Sequence, residues 1–165
     1  MHAWAGPWHC VKDENTGRVW EVKRDDESIH DGYWTYSWWL AGKGEQNQGD
    51  CYFEKARCDT ADLIRRTNAL KLCGRSDWRL PTTVELQSIV EIPNQPGNPS
   101  VNMFFFPQTK HGDYWTSDDE KPLTGVYRHL KTGAAAINFT KGETVIIPYR
   151  NAAFTRLISS SDKNN

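Results

Sequence analysis

Hydrophobic and polar positions change rhythm along this chain. Arg18-Val19-Trp20-Glu21-Val22-Lys23 alternates after the turn-forming Asn15-Thr16-Gly17, which predicts a short strand with Val19 and Val22 on opposite faces. Residues 33–39 are dense in β-forming side chains and predict a second extended segment. Residues 42–49 are polar and glycine-bearing, as expected of a loop. Two helices are predicted next. Ala61, Leu63, Ile64, Thr67 and Leu70 form an apolar stripe, Asp59 or Thr60 can cap its start, and Cys73-Gly74 can end it. The second helix begins at Pro81-Thr82, where Thr82 and Glu85 stand as a capping box. Leu86, Ile89 and Val90 supply its buried face, and Pro93 closes it.

Residues 94–102 are proline-rich and too few for a domain linker. Strand-like runs return at 114–117, 125–130, 134–139, 144–147 and 152–158. Lys131-Thr132-Gly133 and Thr140-Lys141-Gly142 read as hairpin turns between them. Strand, two helices and an antiparallel meander make an α+β chain. One domain is expected over 8–158, with a polar tail over 159–165 and no internal repeat.

The 165 residues fit one domain, and a net charge of −1 argues against binding nucleic acid through bulk charge. The charge is uneven. Residues 1–105 hold 12 Lys/Arg against 15 Asp/Glu, whereas 106–158 hold 7 against 5. An anion-seeking surface is therefore expected in the C-terminal third. Eight Trp imply an aromatic-rich core or an exposed stacking surface, because each buried indole N–H needs a partner. No apolar run reaches the length of a membrane span. Cys10, Cys51, Cys58 and Cys73 are even in number and contain no Cys-x-x-Cys, which favours disulfides over zinc or redox chemistry. Three connectivities are open, and any of them places the chain in an oxidising compartment.

Certain strings are more specific than composition. They are Trp8-His9-Cys10-Val11-Lys12-Asp13, Thr16-Gly17-Arg18-Val19-Trp20-Glu21-Val22-Lys23, Tyr36-Ser37-Trp38 and Cys58-Asp59-Thr60-Ala61. Then come Leu72-Cys73-Gly74, Asp77-Trp78-Arg79-Leu80-Pro81-Thr82, Glu85-Leu86, Tyr114-Trp115-Thr116-Ser117 and Thr155-Arg156-Leu157-Ile158. Their order and spacing resemble the bacterial family named for the C-terminal domain of the Legionella collagen-like adhesin, Lcl. The resemblance implies a C-type-lectin-like fold at the end of a secreted, periplasmic or cell-surface protein. The namesake is an adhesin whose terminal domain trimerises and binds sulfated glycans, so a glycan or polyanionic polymer and a homo-oligomer are the implied partners. No catalytic set belongs to the shared motifs.

Read as residues, the shared strings look structural. Trp20, Trp78 and Trp115 are expected to anchor the core, and Asp77 and Arg79 to pair or to bond loop backbone. The expected disulfides are Cys51–Cys58, which closes a short loop, and Cys10–Cys73, which ties the N-terminal strand to the end of the first helix.

Catalytic signatures are missing: no Gly-x-Ser-x-Gly elbow, His-Glu-x-x-His helix or phosphate-binding glycine loop is present. His2, His9, His30, His111 and His129 are scattered. Lectin-like oxidases need a reactive cysteine pair, whereas these cysteines look committed to stapling. The chain is therefore not expected to be an enzyme or to need a cofactor. Asp118, Asp119 and Glu120 form an acidic loop whose oxygens suit calcium, although without EF-hand spacing. The candidate ligand site is Lys110, Arg128, Lys131, Tyr149 and Arg150, since sugar recognition needs polar forks beside an aromatic face. The expected function is extracellular glycan or polyanion binding in adhesion. The alternative is a structural or oligomerisation module with no small ligand.

Overall fold

The computed structural model describes residues 9–51 and 57–160. Strands β1 (Cys10–Lys12), β2 (Val19–Glu21) and β9 (Ile158–Ser159) form one antiparallel sheet in the order β1-β2-β9. This sheet brings the two ends of the domain together. Ser159, expected in the polar tail, is instead fully buried opposite Val19.

β3 (Trp39–Leu40) and β4 (Lys43–Gly44) make a small hairpin that runs from the end of the predicted extended segment into the expected loop. It depends on Gly44. There φ is +102°, and a Cβ would lie 2.0 Å from the Trp38 carbonyl.

The main sheet is built on β7 (Thr132–Asn138), flanked by β5 (Asp113–Trp115), the short β6 (Lys121–Pro122) and β8 (Glu143–Ile147), all antiparallel. Both faces of β7 are covered, so Gly133 to Ile137 read as one apolar run rather than alternating. The strand period of two still decides where each side chain goes. Ala134 and Ala136 join Trp115, Trp38, Tyr36, Leu63, Trp78 and Leu157 in one core cluster. Ile137 and Phe139 join Tyr114, Trp20, Leu86, Phe106 and Ile158 in the other. Alanines fit β7 because the indoles of the first cluster fill the space beside them.

α1 (Thr60–Ala69) starts where expected: the Asp59 side chain accepts from the Asp62 N–H at 3.0 Å. The inward face differs from the predicted stripe. Leu63 and Thr67 are buried, but Asp62 is buried with them and Leu70 is 69% exposed beyond the helix end. The helix stops early because the Asn68 side chain turns to bracket Trp78, accepting from its N–H at 2.7 Å and donating to its carbonyl at 3.0 Å. The chain is already left-handed at Lys71, ahead of the expected glycine exit. α2 (Thr83–Gln87) carries the predicted capping box, with Glu85 N–H on Thr82 Oγ1 and Thr82 N–H on Glu85 Oε1. It ends before Ile89 and Val90, and Val90 instead bridges to Val101.

Three further expectations are corrected. Residues Gly125–Leu130 form an exposed 3₁₀ turn rather than a strand, because Gly125 is left-handed and β6 has already taken the edge of β7. Thr132 and Gly133 consequently belong to β7 and not to a hairpin turn; a Cβ on Gly133 would meet the Ile147 carbonyl at 2.1 Å. The turn over 140–142 does connect β7 and β8. Residues 152–158 contribute single bridges from Ala153 to Tyr36 and from Phe154 to Tyr114 rather than a continuous strand.

Disulfides Cys10–Cys73 and Cys51–Cys58 staple this α+β arrangement, with Cα separations of 6.6 and 5.5 Å. Cys10–Cys73 spans 63 residues. Closing that loop in the unfolded chain corresponds to about 4 kcal/mol. Non-reducing peptide mapping should recover both links, and Cys10→Ala/Cys73→Ala should lose about that much in a urea titration. Crossed pairs or four free thiols would overturn the assignment.

Candidate functional site

The C-terminal set divides. Tyr149 follows β8 and is locked on three sides. Its ring packs on Trp38 at 4.9 Å between centroids, its carbonyl accepts from the Trp38 N–H at 2.8 Å, and its hydroxyl accepts from the Glu120 N–H at 3.0 Å. Tyr149 and Arg150 line a hollow of about 90 Å³ with Glu45, Leu130, Thr132 and Pro148. Lys131 sits between two of those lining residues, left-handed at φ 72°, and its N–H donates to the Arg128 carbonyl at 3.1 Å. Arg128, Lys131 and Arg150 are all exposed. Neither Arg128, on the 3₁₀ turn that replaced the expected strand, nor Lys131, just after it, lines the hollow, although both are exposed. Lys110 does not line it. Its ammonium lies 3.7 Å over the Tyr33 ring and donates to Gln108 Oε1 at 3.2 Å.

The hollow is too small to enclose a sugar, since small-molecule pockets usually measure about 300–1,000 Å³. It can seat one substituent of a longer chain beside the exposed Arg150.

The acidic loop has partners within the protein. Asp118 accepts from the Thr83 N–H at 2.8 Å, and Lys43 Nζ reaches Glu120 at 2.6 Å and Asp119 at 3.4 Å. The hydrogen bond with Glu120 raises the Lys43 ammonium, and Lys43 lowers the Glu120 carboxyl in return. Among the described residues no three His, Cys, Asp or Glu side chains group as metal ligands. His111 Nε2 donates to the Gly97 carbonyl at 2.7 Å.

The residues expected to be structural are buried or bonded. Trp20, Trp78 and Trp115 are fully buried. Trp78 donates its indole N–H to the Leu72 carbonyl and Trp115 to that of Tyr36. Arg79 grips Glu85 through both Nη atoms, at 2.7 and 2.8 Å, while Asp77 accepts from the Ser159 hydroxyl at 2.6 Å. The Arg79 hydrogen bonds hold the Glu85 carboxyl at about 2.

Two constellations escaped the sequence reading. One is a buried ionic cluster of Glu21, Lys23, His30 and Arg156. Its sequence signal is the charged residues inside the Thr16–Lys23 and Thr155–Ile158 strings. The other is a larger hollow of about 460 Å³ beside the start of α1, lined by Trp39, Gln46, Asn47, Arg57, Asp59, Ala61, Asp62 and Arg65. Its charged residues are two arginines and two aspartates, so no charge bias along the chain pointed to it.

Among the described residues no helix is long and apolar enough to cross a membrane. Comparison with curated proteins and with solved structures returned no match. The family described as the Lcl C-terminal domain matches residues 9–159, almost the whole chain and all of both core clusters. The chain belongs to the Lcl C-terminal domain family.

Proposed function

We propose that this is an extracellular adhesion domain of C-type-lectin-like fold that binds a glycan or another polyanionic polymer rather than catalysing a reaction. The observation that supports the reading is Arg150, exposed beside an immobilised Tyr149 in one hollow, with Arg128 and Lys131 exposed on the stretch of chain that leads into β7. The adhesin-derived family and the two disulfides fit a secreted or surface-held protein. All four cysteines are bonded, so the thiol chemistry of lectin-like oxidases has no starting group.

Exposed cations contribute about 1 kcal/mol or less apiece. A single domain should therefore hold such a polymer weakly, and oligomerisation of the kind known for the namesake would raise the affinity through avidity. Salt should weaken binding steeply, since screening acts within about 8 Å at physiological ionic strength. The test is retention on heparin-like and neutral polysaccharide columns at low and high salt. The wild type should be retained on the polyanion at low salt only, and Arg128→Ala/Arg150→Ala should elute earlier. No retention at low salt, or equal retention of the double variant, would sink the reading.

One feature favours the assembly-module alternative. Val126, 82% exposed, and the partly exposed Tyr127 lie on the same 3₁₀ turn as Arg128. A mass by light scattering that grows with concentration and returns to the monomer in Val126→Asp would support that alternative.

A further inference from the structure

The sheet that joins the two ends of the domain has one open side. β9 is met on its far side by the bridge between Arg79 and Ile158, but among the described residues nothing pairs with β1 on the side away from β2. The hydrogen bonds to β2 show which groups face outward. The Val22 N–H donates to the His9 carbonyl at 3.1 Å and the Asp13 N–H to the Arg18 carbonyl at 2.8 Å, so the odd-numbered residues of this stretch bond to β2. Cys10 and Lys12 therefore turn their N–H and C=O groups to the open side. Lys12 is exposed, and Cys10 is half-buried and fixed by its link to Cys73. The edge is thus set before any partner arrives.

A hollow of about 310 Å³ opens beside that edge, and four consecutive residues, Val11 to Glu14, line it. Its volume is within the usual range for a ligand site. Trp20, Ile89, Phe105 and Phe106 give it apolar walls. Its charge is one-sided: Asp13, Glu14 and Glu91 line it against one cation, Lys12. Glu14 and Glu91 are exposed, and among the described residues their carboxylates have no partner. Asp13 accepts from the Asn15 N–H at 2.9 Å.

Trp20 adds an independent observation. It is 1% exposed and lines the hollow, yet among the described residues its indole N–H has no acceptor, unlike those of Trp38, Trp78 and Trp115. A buried donor left open here fits a ligand that brings acceptors.

Open strand groups, apolar walls and surplus carboxylates select together. We propose that β1 and this hollow bind an extended basic segment of another protein, added antiparallel to β1 as a further strand. The segment's residues opposite Cys10 and Lys12 exchange backbone hydrogen bonds with them. Its residue opposite Val11 is apolar and turns to the face that Val11 shares with Trp20, with basic side chains two positions away on either side. A second copy of the chain is the poorer occupant, because it brings the same acidic residues. A polyanion is repelled here, and no residue lines both this hollow and that of Tyr149, so the two surfaces are independent.

The test is an amide-resolved NMR titration of the isotope-labelled chain with the end-blocked peptide Lys-Thr-Phe-Thr-Lys, whose phenylalanine and lysines fall on one face of a strand. The backbone amides of Cys10 and Lys12 and the Trp20 indole N–H should shift together and saturate with a Kd of about 1 mM or tighter. Glu-Thr-Phe-Thr-Glu should bind at least about tenfold more weakly. So should the lysine peptide N-methylated at both threonines, whose N–H groups this register turns towards β1. Glu14→Gln/Glu91→Gln should weaken the lysine peptide about fivefold, and thermal melts should show it folded. Arg128→Ala/Arg150→Ala should bind the peptide as the wild type does. No shift at about 5 mM peptide would overturn the inference, as would equal binding of the glutamate or N-methylated peptide. Cys10 and Lys12 amides already protected from exchange in the free monomer would assign the edge to the chain's own residues. Signals that move with protein concentration alone would assign it to a second copy. Either outcome overturns the proposal.

Discussion

Glu21→Gln should lower the unfolding free energy by about 3–5 kcal/mol, the usual cost of removing one partner from a buried ion pair. Glu21 has no exposed surface, and each carboxylate oxygen is committed. Oε2 accepts from Lys23 Nζ at 2.9 Å and from His30 Nδ1, while Oε1 accepts from the Leu157 N–H at 2.9 Å. Arg156, 1% exposed, donates to the Glu21 carbonyl at 2.7 Å and to Thr109 at 2.8 Å, with its guanidinium 5.0 Å from the Phe106 ring centroid. A glutamine would leave Lys23 and Arg156 buried without the carboxylate that balances them. A urea titration at neutral pH measures the loss, and a value under about 1 kcal/mol would show that the cluster is not an ion pair in solution. Glu21→Gln/Lys23→Met should recover part of the loss, since no stranded ammonium remains beside the amide.

The same carboxylate gives the expectation a pH signature. Burial pushes Glu21 upward, but Lys23, His30 and the Leu157 N–H together outweigh it and hold the carboxyl at about 2 against an ordinary 4.5. The unfolded chain takes up its proton near 4.5, whereas the native chain refuses it until about 2. The contribution is therefore complete above 4.5 and drains away as pH falls towards 2. Glu85, held at about 2 by Arg79, loses stability in the same window. The melting temperature of the wild type should fall through that window more steeply than that of Glu21→Gln, and the gap between them should close towards its acid end.

Where local chemistry decides structure, the sequence was legible. Asp59 caps α1 and Thr82 boxes with Glu85 because those bonds form between neighbours in the chain. Cys51 and Cys58 pair across a gap of seven for the same reason. What was hidden depended on distant partners. Alternation over 18–23 gave a strand, yet every residue from Val19 to Lys23 is buried, because β2 runs between β1 and β9. That position turns Glu21 and Lys23 from surface residues into an internal ion pair.

The candidate site divides along the same line. Tyr149 and Arg150 are adjacent in the chain, so their sharing one hollow was within reach, whereas Arg128 and Lys131 do not line it. Lys110 was assigned to them by charge alone and went to Tyr33. The arginines around Asp62 escaped because averaged charge says nothing about a cluster spread over the chain between Arg57 and Arg66.

Trp78→Ala should cost about 3–5 kcal/mol, comparable with the loss of Glu21 but for a different reason. Trp78 is 2% exposed and packs in the cluster that holds Trp38, Leu63, Trp115 and Leu157. Removing the indole deletes its dispersion contacts and leaves a cavity, and the cost grows with how little the surroundings can close it. Here they are held open. The Asn68 side chain brackets the Trp78 backbone on both sides, Arg79 bridges to Ile158, and Cys73 is bolted to Cys10 a few residues upstream. The Leu72 carbonyl also loses the indole N–H that it accepts at 3.0 Å. Trp78→Phe should fall well short of the alanine loss, because most of the ring volume returns while that hydrogen bond does not. Leu70→Ala, eight residues earlier but 69% exposed, should stay within about 0.5 kcal/mol of wild type. Equal losses in the three variants by urea titration would mean that Trp78 does not anchor the core.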